Sequence, residues 1–209
     1  MNEFNKESRS VGARQIQKET TAKAIIKAAK QVFETVGFEK ANIRDIAKLA
    51  GVAPGSVIHH FGNKKVLLHS ALFDDLEKTL TKALNNIKTG SLEERLSKLT
   101  ESIFKYYQKR PKLSRTLLKE SLFAEEPWSK KFSQQTGAVH TAIVSICEEA
   151  KNNKEITKEV DSSLFAVSYL SFFYFALIAW VQGANKNPVT LAGHLVSQYI
   201  SLLKLRREK

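Results

Sequence analysis

Cysteine is all but absent: Cys147 is the only one in 209 residues, so no disulfide can form within the chain. A lone thiol agrees with a reducing compartment and most simply packs as a small apolar side chain. Proline is scarce too, and Pro54, Pro111, Pro127 and Pro188 each stand where an apolar periodic stretch begins. Glycines such as Gly37, Gly51, Gly90 and Gly183 lie near the ends of those stretches, the asymmetry expected of an all-helical protein. Sustained polar–apolar alternation and internal repeats are both lacking. No G-x-S-x-G elbow, phosphate loop or paired C-x-x-C occurs. The histidines His59, His60, His69, His140 and His194 form no helical ligand pair, and the doublets Glu93-Glu94, Glu125-Glu126 and Glu148-Glu149 read as solvated faces. Neither enzymatic activity, a metal nor a cofactor is expected. The opening M-N-E-F-N-K-E-S-R-S has no apolar core of signal-peptide length, and a cytoplasmic location is expected.

Positive charge is what the chain has in excess, with a formal net charge of +12. Residues 1–70 hold 12 Lys/Arg against 6 Asp/Glu; the remainder holds 21 against 15. Each part has a surplus of 6, so the first third is about twice as basic per residue. Such a chain suits nucleic acid or an anionic membrane surface, and charge alone does not separate them.

The stretch Asn42–Phe61, N-I-R-D-I-A-K-L-A-G-V-A-P-G-S-V-I-H-H-F, separates them. Ile43, Ile46, Ala47 and Ala50 mark one helix face, and Asn42 is placed to cap its first turn. Gly51 suits the left-handed residue that ends such a helix, Val52 can plug the angle beyond it, and Pro54 suits the first turn of a second short helix. A helix–Gly-turn–helix of this size is the shape that lays its second helix in a DNA major groove. Pro54, Gly55, Ser56, Ile58, His59 and His60 stand near that helix's exposed side. Ser56 and the histidines can donate to phosphates or base edges, and Gly55 allows close backbone approach. Adjacent histidines at a helix end can equally be merely solvated.

With A-I-I-K-A-A-K-Q-V-F-E-T-V-G-F (Ala24–Phe38) before it and G-N-K-K-V-L-L (Gly62–Leu68) after it, this region resembles the tetracycline-repressor (TetR/AcrR) family. The resemblance rests on Ile25, Ala28, Ala29, Phe33, Gly37, Phe38, Ile46, Ala47, Gly51, Val52, Gly55, His59, Phe61, Lys64 and Leu67, roughly the first third of the chain. It implies that Ser56, His59 and Lys64 contact DNA, with Lys64 meeting phosphate beside a helix N-terminus and Asn42 and Arg44 doing the same at the first short helix. Two positions depart from the family pattern: Ile58 replaces a usual tyrosine, and Ala53 a frequent serine or threonine cap. Ile58 is suited instead to a thymine methyl. Double-stranded DNA is thus the expected partner, and the chain divides into a flexible basic arm over 1–17, a helix-turn-helix domain over 18–63, and a ligand-binding and dimerisation domain over 64–209.

The remaining two thirds carry no matching motif. Their aromatic supply suggests an apolar small-molecule pocket, assigned to Tyr106, Trp128, Phe132, His140 and Phe172, with Tyr169 and Tyr174 as further polar groups; each is otherwise a core or interface residue. Ser162–Asn185 is uncharged and long enough to span a bilayer, but serines, tyrosines and Gln182 argue for a buried or interface helix. This helix and the next are apolar on most of their circumference, so a homodimer is expected through Phe165, Tyr169, Val189, Ala192, Val196, Tyr199, Ile200 and Leu203. The resulting expectation is a dimeric transcriptional repressor released from a palindromic operator by an apolar or aromatic ligand. An inducer-free dimer whose C-terminal part binds a protein, or a membrane-associated protein, remain as alternatives.

Overall fold

The computed structural model describes the backbone of residues 4–205 and the side chains of residues 12–204. Among the described residues the chain is helical without strands: α1 (Phe4–Val36), α2 (Ile43–Ala50), α3 (Pro54–Phe61), α4 (Lys64–Asn85), α5 (Leu92–Gln108), α6 (Pro111–Leu122), α7 (Trp128–Asn152), α8 (Ser162–Val181) and α9 (Pro188–Leu205). It forms two compact units that divide between Asp74 and Asp75, inside α4, rather than at the expected 63/64 boundary. Leu67 and Leu68, both fully buried, fall with the first unit, so its core extends past the start of α4.

The stretch expected as a flexible arm is helical from Phe4 onward, as the leading part of α1, while residues 1–3 lie outside the described residues. No proline interrupts this stretch, and Gln15 donates to Glu19 at 2.9 Å one turn on. Farther along α1, Ile25, Ala28, Ala29 and Phe33 are buried, as are Ile46 and Ala47 of α2 and Val57 of α3. Two small alanines on one face of α1 let α2 pack close, and α2 in turn packs on α3.

In the second unit α8 lies between α7 and α9, and α5 touches α6, α7 and α9. Ser91 and Glu94 form a reciprocal capping box at the start of α5. Hydrogen bonding from the Ser91 backbone and side chain holds the Glu94 carboxyl below its usual pKa. The buried Arg95 guanidinium donates to Ile87 O at 2.7 Å and to Glu149 at 2.6 Å, joining α5 to α7. Asp161 caps α8 by accepting from the backbone N–H groups of Ser163 and Leu164, both at 2.9 Å.

The expected dimer stripe requires correction. Phe165, Tyr169, Ala192, Val196 and Ile200 are only 1, 2, 1, 6 and 1 % exposed within one chain, because α8 and α9 turn these residues onto each other and onto α5. Tyr199 stacks on Phe165 at 5.6 Å and is half-buried, as are Val189 and Leu203. α8 is apolar on nearly its whole circumference, whereas α9 turns Thr190, His194, Gln198 and Ser201 outward, and sequence periodicity selected the face that the chain itself covers. What α8 leaves uncovered is the opposite stripe, with Leu164 at 60 %, Val167 at 48 %, Phe175 at 58 % and Ile178 at 37 % exposure.

The turn between α2 and α3 depends on Gly51, whose φ of 70° lies in the left-handed region. Its N–H and that of Val52 return to the carbonyls of Lys48 and Ala47 at 3.3 and 3.0 Å. A Cβ at Gly51 meets no neighbouring atom, so the cost of Gly51→Ala is backbone strain alone, about 1–2 kcal/mol. Chemical denaturation of the variant should show that loss; an unchanged midpoint would show that the turn tolerates an L-residue.

Candidate nucleic-acid interface and an internal cavity

The first unit presents α3 as a short helix whose outward residues are set by its two ends. Asn42 Oδ1 accepts from Asp45 N at 2.8 Å and fixes the start of α2. Its amide also donates to the Asp45 carboxylate, so the Asn42 side chain, expected at phosphate, is engaged in the cap. Ala53 provides no side-chain cap for α3, as its methyl dictates, and Pro54 occupies the first turn, where no N–H is needed. Val57 points into the core, which turns Pro54, Gly55, Ile58 and His59 outward, all exposed. Ser56 and His60 are half-buried. Partial burial, followed by the nearby charges of His59 and Lys18, pushes the His60 imidazole below its ordinary pKa. The shift favours the uncharged imidazole, which offers a hydrogen bond rather than a charge. Arg44 and Lys48 are exposed on α2, and Lys40 is exposed in the turn before it.

Lys64 departs from expectation most clearly. Its ammonium donates to the carbonyls of Phe38, Glu39 and Ala41 at 2.8, 3.2 and 3.0 Å, and lies 4.6 Å from the centroid of the Phe38 ring. Three acceptors match the three N–H donors of a lysine. The turn between α1 and α2 exposes carbonyls with no helical partner, and the first residue of α4 satisfies them. Lys64 is thus a clamp on the reading unit rather than an open phosphate ligand.

The second unit is not tightly filled. A cavity of about 340 Å³ lies among α5, α6, α7, α8 and the adjoining part of α4, lined by Leu76, Leu80, Ile103, Leu118, Val139 and Phe173 among others. Of the five residues assigned to a pocket from sequence, only Phe132 lines it. Tyr106 borders a separate small recess with Asp75 and Arg110, which pair at 3.1 Å. Trp128 carries the Lys131 ammonium over its ring at 4.3 Å, His140 lies 3.3 Å from Ser163 Oγ, and Phe172 packs edge-on to Tyr199 at 5.7 Å. Tyr169 and Tyr174, named as further polar groups, do line the cavity. Tyr107, Thr136 and Leu170 were missed: their helices were legible, but which face turned inward depended on packing among four helices at once.

A right-sized helix–turn–helix with an exposed second helix, joined to an all-helical unit, defines the class of helix-turn-helix proteins. Residues 25–71 match the family model described as bacterial regulatory proteins, tetR family. The match spans α2 and α3 with the adjoining parts of α1 and α4. Among curated proteins it is 32 % identical over 106 residues to YttP of Bacillus subtilis (strain 168), named a probable HTH-type transcriptional regulator. That alignment covers 49 % of this chain and 51 % of YttP, so the chain spans about half the length of the curated relative it matches. Among solved structures, a TetR transcription regulator from Haloarcula marismortui superposes with a TM-score of 0.74 at 20 % identity, covering 88 % of this chain and 97 % of that one. The transcriptional regulator FadR from Bacillus subtilis, solved in complex with stearoyl-CoA, gives a TM-score of 0.70 at 21 % identity over 85 % of this chain and 97 % of that one. At such identities these two likenesses establish the fold.

Removing the Lys64 ammonium leaves three carbonyls without their charged donor. Lys64→Met should lower the stability of the N-terminal unit by about 2 kcal/mol, within the range for hydrogen bonds to charged groups. Urea unfolding checks this, and a variant as stable as the parent would return Lys64 to the role of a free phosphate contact.

Proposed function

We propose that this protein is a cytoplasmic, homodimeric, DNA-binding transcriptional regulator, a repressor released from a two-fold operator when a small apolar molecule occupies its C-terminal unit. The observation that carries the reading is the exposed face of α3, where Pro54, Gly55, Ile58 and His59 stand outward beside half-buried Ser56. Side chains at the start of a short second helix are those that reach base edges in the major groove. Arg44 supplies sequence-independent attraction to phosphate from α2. Ile58 offers methyl contact in place of a hydroxyl.

Dimerisation in this reading uses the uncovered face of α8. Leu164, Val167, Phe175 and Ile178 recur at helical spacing, with Ser168 and Ser171 between them. α8 is also the one helix among the described residues long and apolar enough to cross a membrane. Its other face packs on α7 and α9, and a second copy of the same stripe would cover the rest by an isologous contact. Two reading helices related by that axis meet DNA about 34 Å apart, or a multiple of it.

Ligand control is supported by the cavity. Occupation of the cavity lowers DNA affinity only to the extent that the ligand binds the two conformations differently; a tenfold release needs about 1.4 kcal/mol of coupling.

Selection from random DNA should enrich a two-fold site, and failure to enrich one would overturn the reading. Arg44→Ala should weaken specific and non-specific binding together and reduce the salt slope by roughly 1, whereas Ser56→Ala or His59→Ala should change the preferred sequence. For the interface, Phe175→Glu should give folded monomers that lose operator binding, while Val196→Glu, which places a charge in the chain's own core, should unfold the second unit. Sedimentation velocity with circular dichroism separates the two outcomes; a Phe175→Glu variant that stays dimeric would refute the α8 interface.

A further inference from the structure

The cavity in the second unit carries more information than its presence. Its lining contains no aspartate, glutamate, lysine, arginine or histidine. An ionised group brought into it would lose hydration and meet no opposite charge. The polar groups that remain are hydroxyls and an amide, and the three lining tyrosines differ in what they already bind. Tyr169 shares a hydrogen bond of 2.8 Å with Thr100, and Tyr174 one of 3.4 Å with Thr136. Tyr107 is only 7 % exposed, and its hydroxyl has no hydrogen-bond partner among the described residues. Burial raises the Tyr107 phenol far above its ordinary pKa, so it keeps its proton and is a donor in search of an acceptor. At about 30 Å³ for each water-sized group, the volume admits a molecule on the order of ten to twenty non-hydrogen atoms.

The geometry points to an uncharged, largely apolar molecule with one hydrogen-bond acceptor, such as a carbonyl or ester oxygen, seated in this cavity with that oxygen on the Tyr107 hydroxyl. This rests on the reading of the C-terminal unit as a ligand-binding unit and narrows it to a chemical class. The same tail bearing a carboxylate or an ammonium is excluded from the interior. The apolar part lies against Ile103, Leu118, Val139 and Phe173, and the exposed side chains of Leu122 and Ser133 mark the rim.

The test uses the full-length protein and the neutral dye N-phenyl-1-naphthylamine, whose fluorescence rises in an apolar site, with displacement by methyl decanoate, decanoate and decylammonium at neutral pH below their micellar concentrations. Methyl decanoate should displace the dye at a concentration at least tenfold lower than either charged analogue. Tyr107→Phe should weaken the ester by about fivefold, the loss of one neutral hydrogen bond. The same variant should leave the affinity of the dye, which carries no oxygen acceptor, unchanged, and that also reports an intact fold. Equal or tighter binding of a charged analogue, an ester affinity indifferent to Tyr107→Phe, or no binding of dye and ester at all would each overturn the assignment. Titrating methyl decanoate into the protein bound to its selected DNA separates the two claims. If the ester follows the expected pattern and the DNA stays bound, ligand-controlled release fails and the ligand class stands.

Discussion

A helix with no polar face must be covered on nearly its whole circumference, and α8 imposes that constraint on the second unit. Asp161 caps its start and Arg115 donates to the Val181 carbonyl near its end, while Ser168 and Ser171 along its length turn their hydroxyls back onto the Leu164 and Val167 carbonyls. One side is covered by α7 and α9, which places Phe165, Tyr169 and Phe173 in the centre of the unit. That arrangement brings Tyr169 to Thr100 of α5 and Phe173 to Phe104, at a ring separation of 4.6 Å. The cavity borders the same helix, because large rings packed from several helices leave gaps that smaller side chains do not fill. The stripe of Leu164, Val167, Phe175 and Ile178 is the part of the constraint that one chain does not meet.

In the first unit the constraint is local and polar. A short helix such as α3 has little cooperativity of its own and is held by what surrounds it. Gly51 sets the angle at one end, and Val57 anchors it to the core. Lys64 holds the carbonyls of Phe38, Glu39 and Ala41 from the following helix. A cation serves there because carbonyl dipoles from one turn converge on a single point. The same charge directed outward would contribute to DNA attraction through solvent, where salt screens it.

The two units thus handle charge oppositely. Arg44, Lys40 and Lys48 leave the first unit with exposed cations, whereas the cavity of the second is lined without any charge. Where charge is buried in the second unit it is matched, as with Arg95 between Ile87 and Glu149. The polar groups that line the cavity are accordingly hydroxyls and one amide.

The helix-turn-helix was legible in the sequence because its determinants are local. A cap at Asn42, a left-handed Gly51, Pro54 in a first turn and a stripe of Ile46 and Ala47 act within a few residues, and each occupies the place its chemistry demands. Helix starts at Pro111 and Pro188 were readable for the same reason. What each face touches was decided only by tertiary structure. Lys64 looks like a phosphate ligand until its distance to carbonyls some twenty-five residues earlier is known. Val196 and Ile200 lie on an apolar stripe that serves equally for a core or a dimer, and only the packing of α9 on α5 and α8 assigns them to the core. The cavity was the least legible element, since a void belongs to no residue. It exists where side chains from several helices fail to meet, and periodicity along one helix carries no record of that distance.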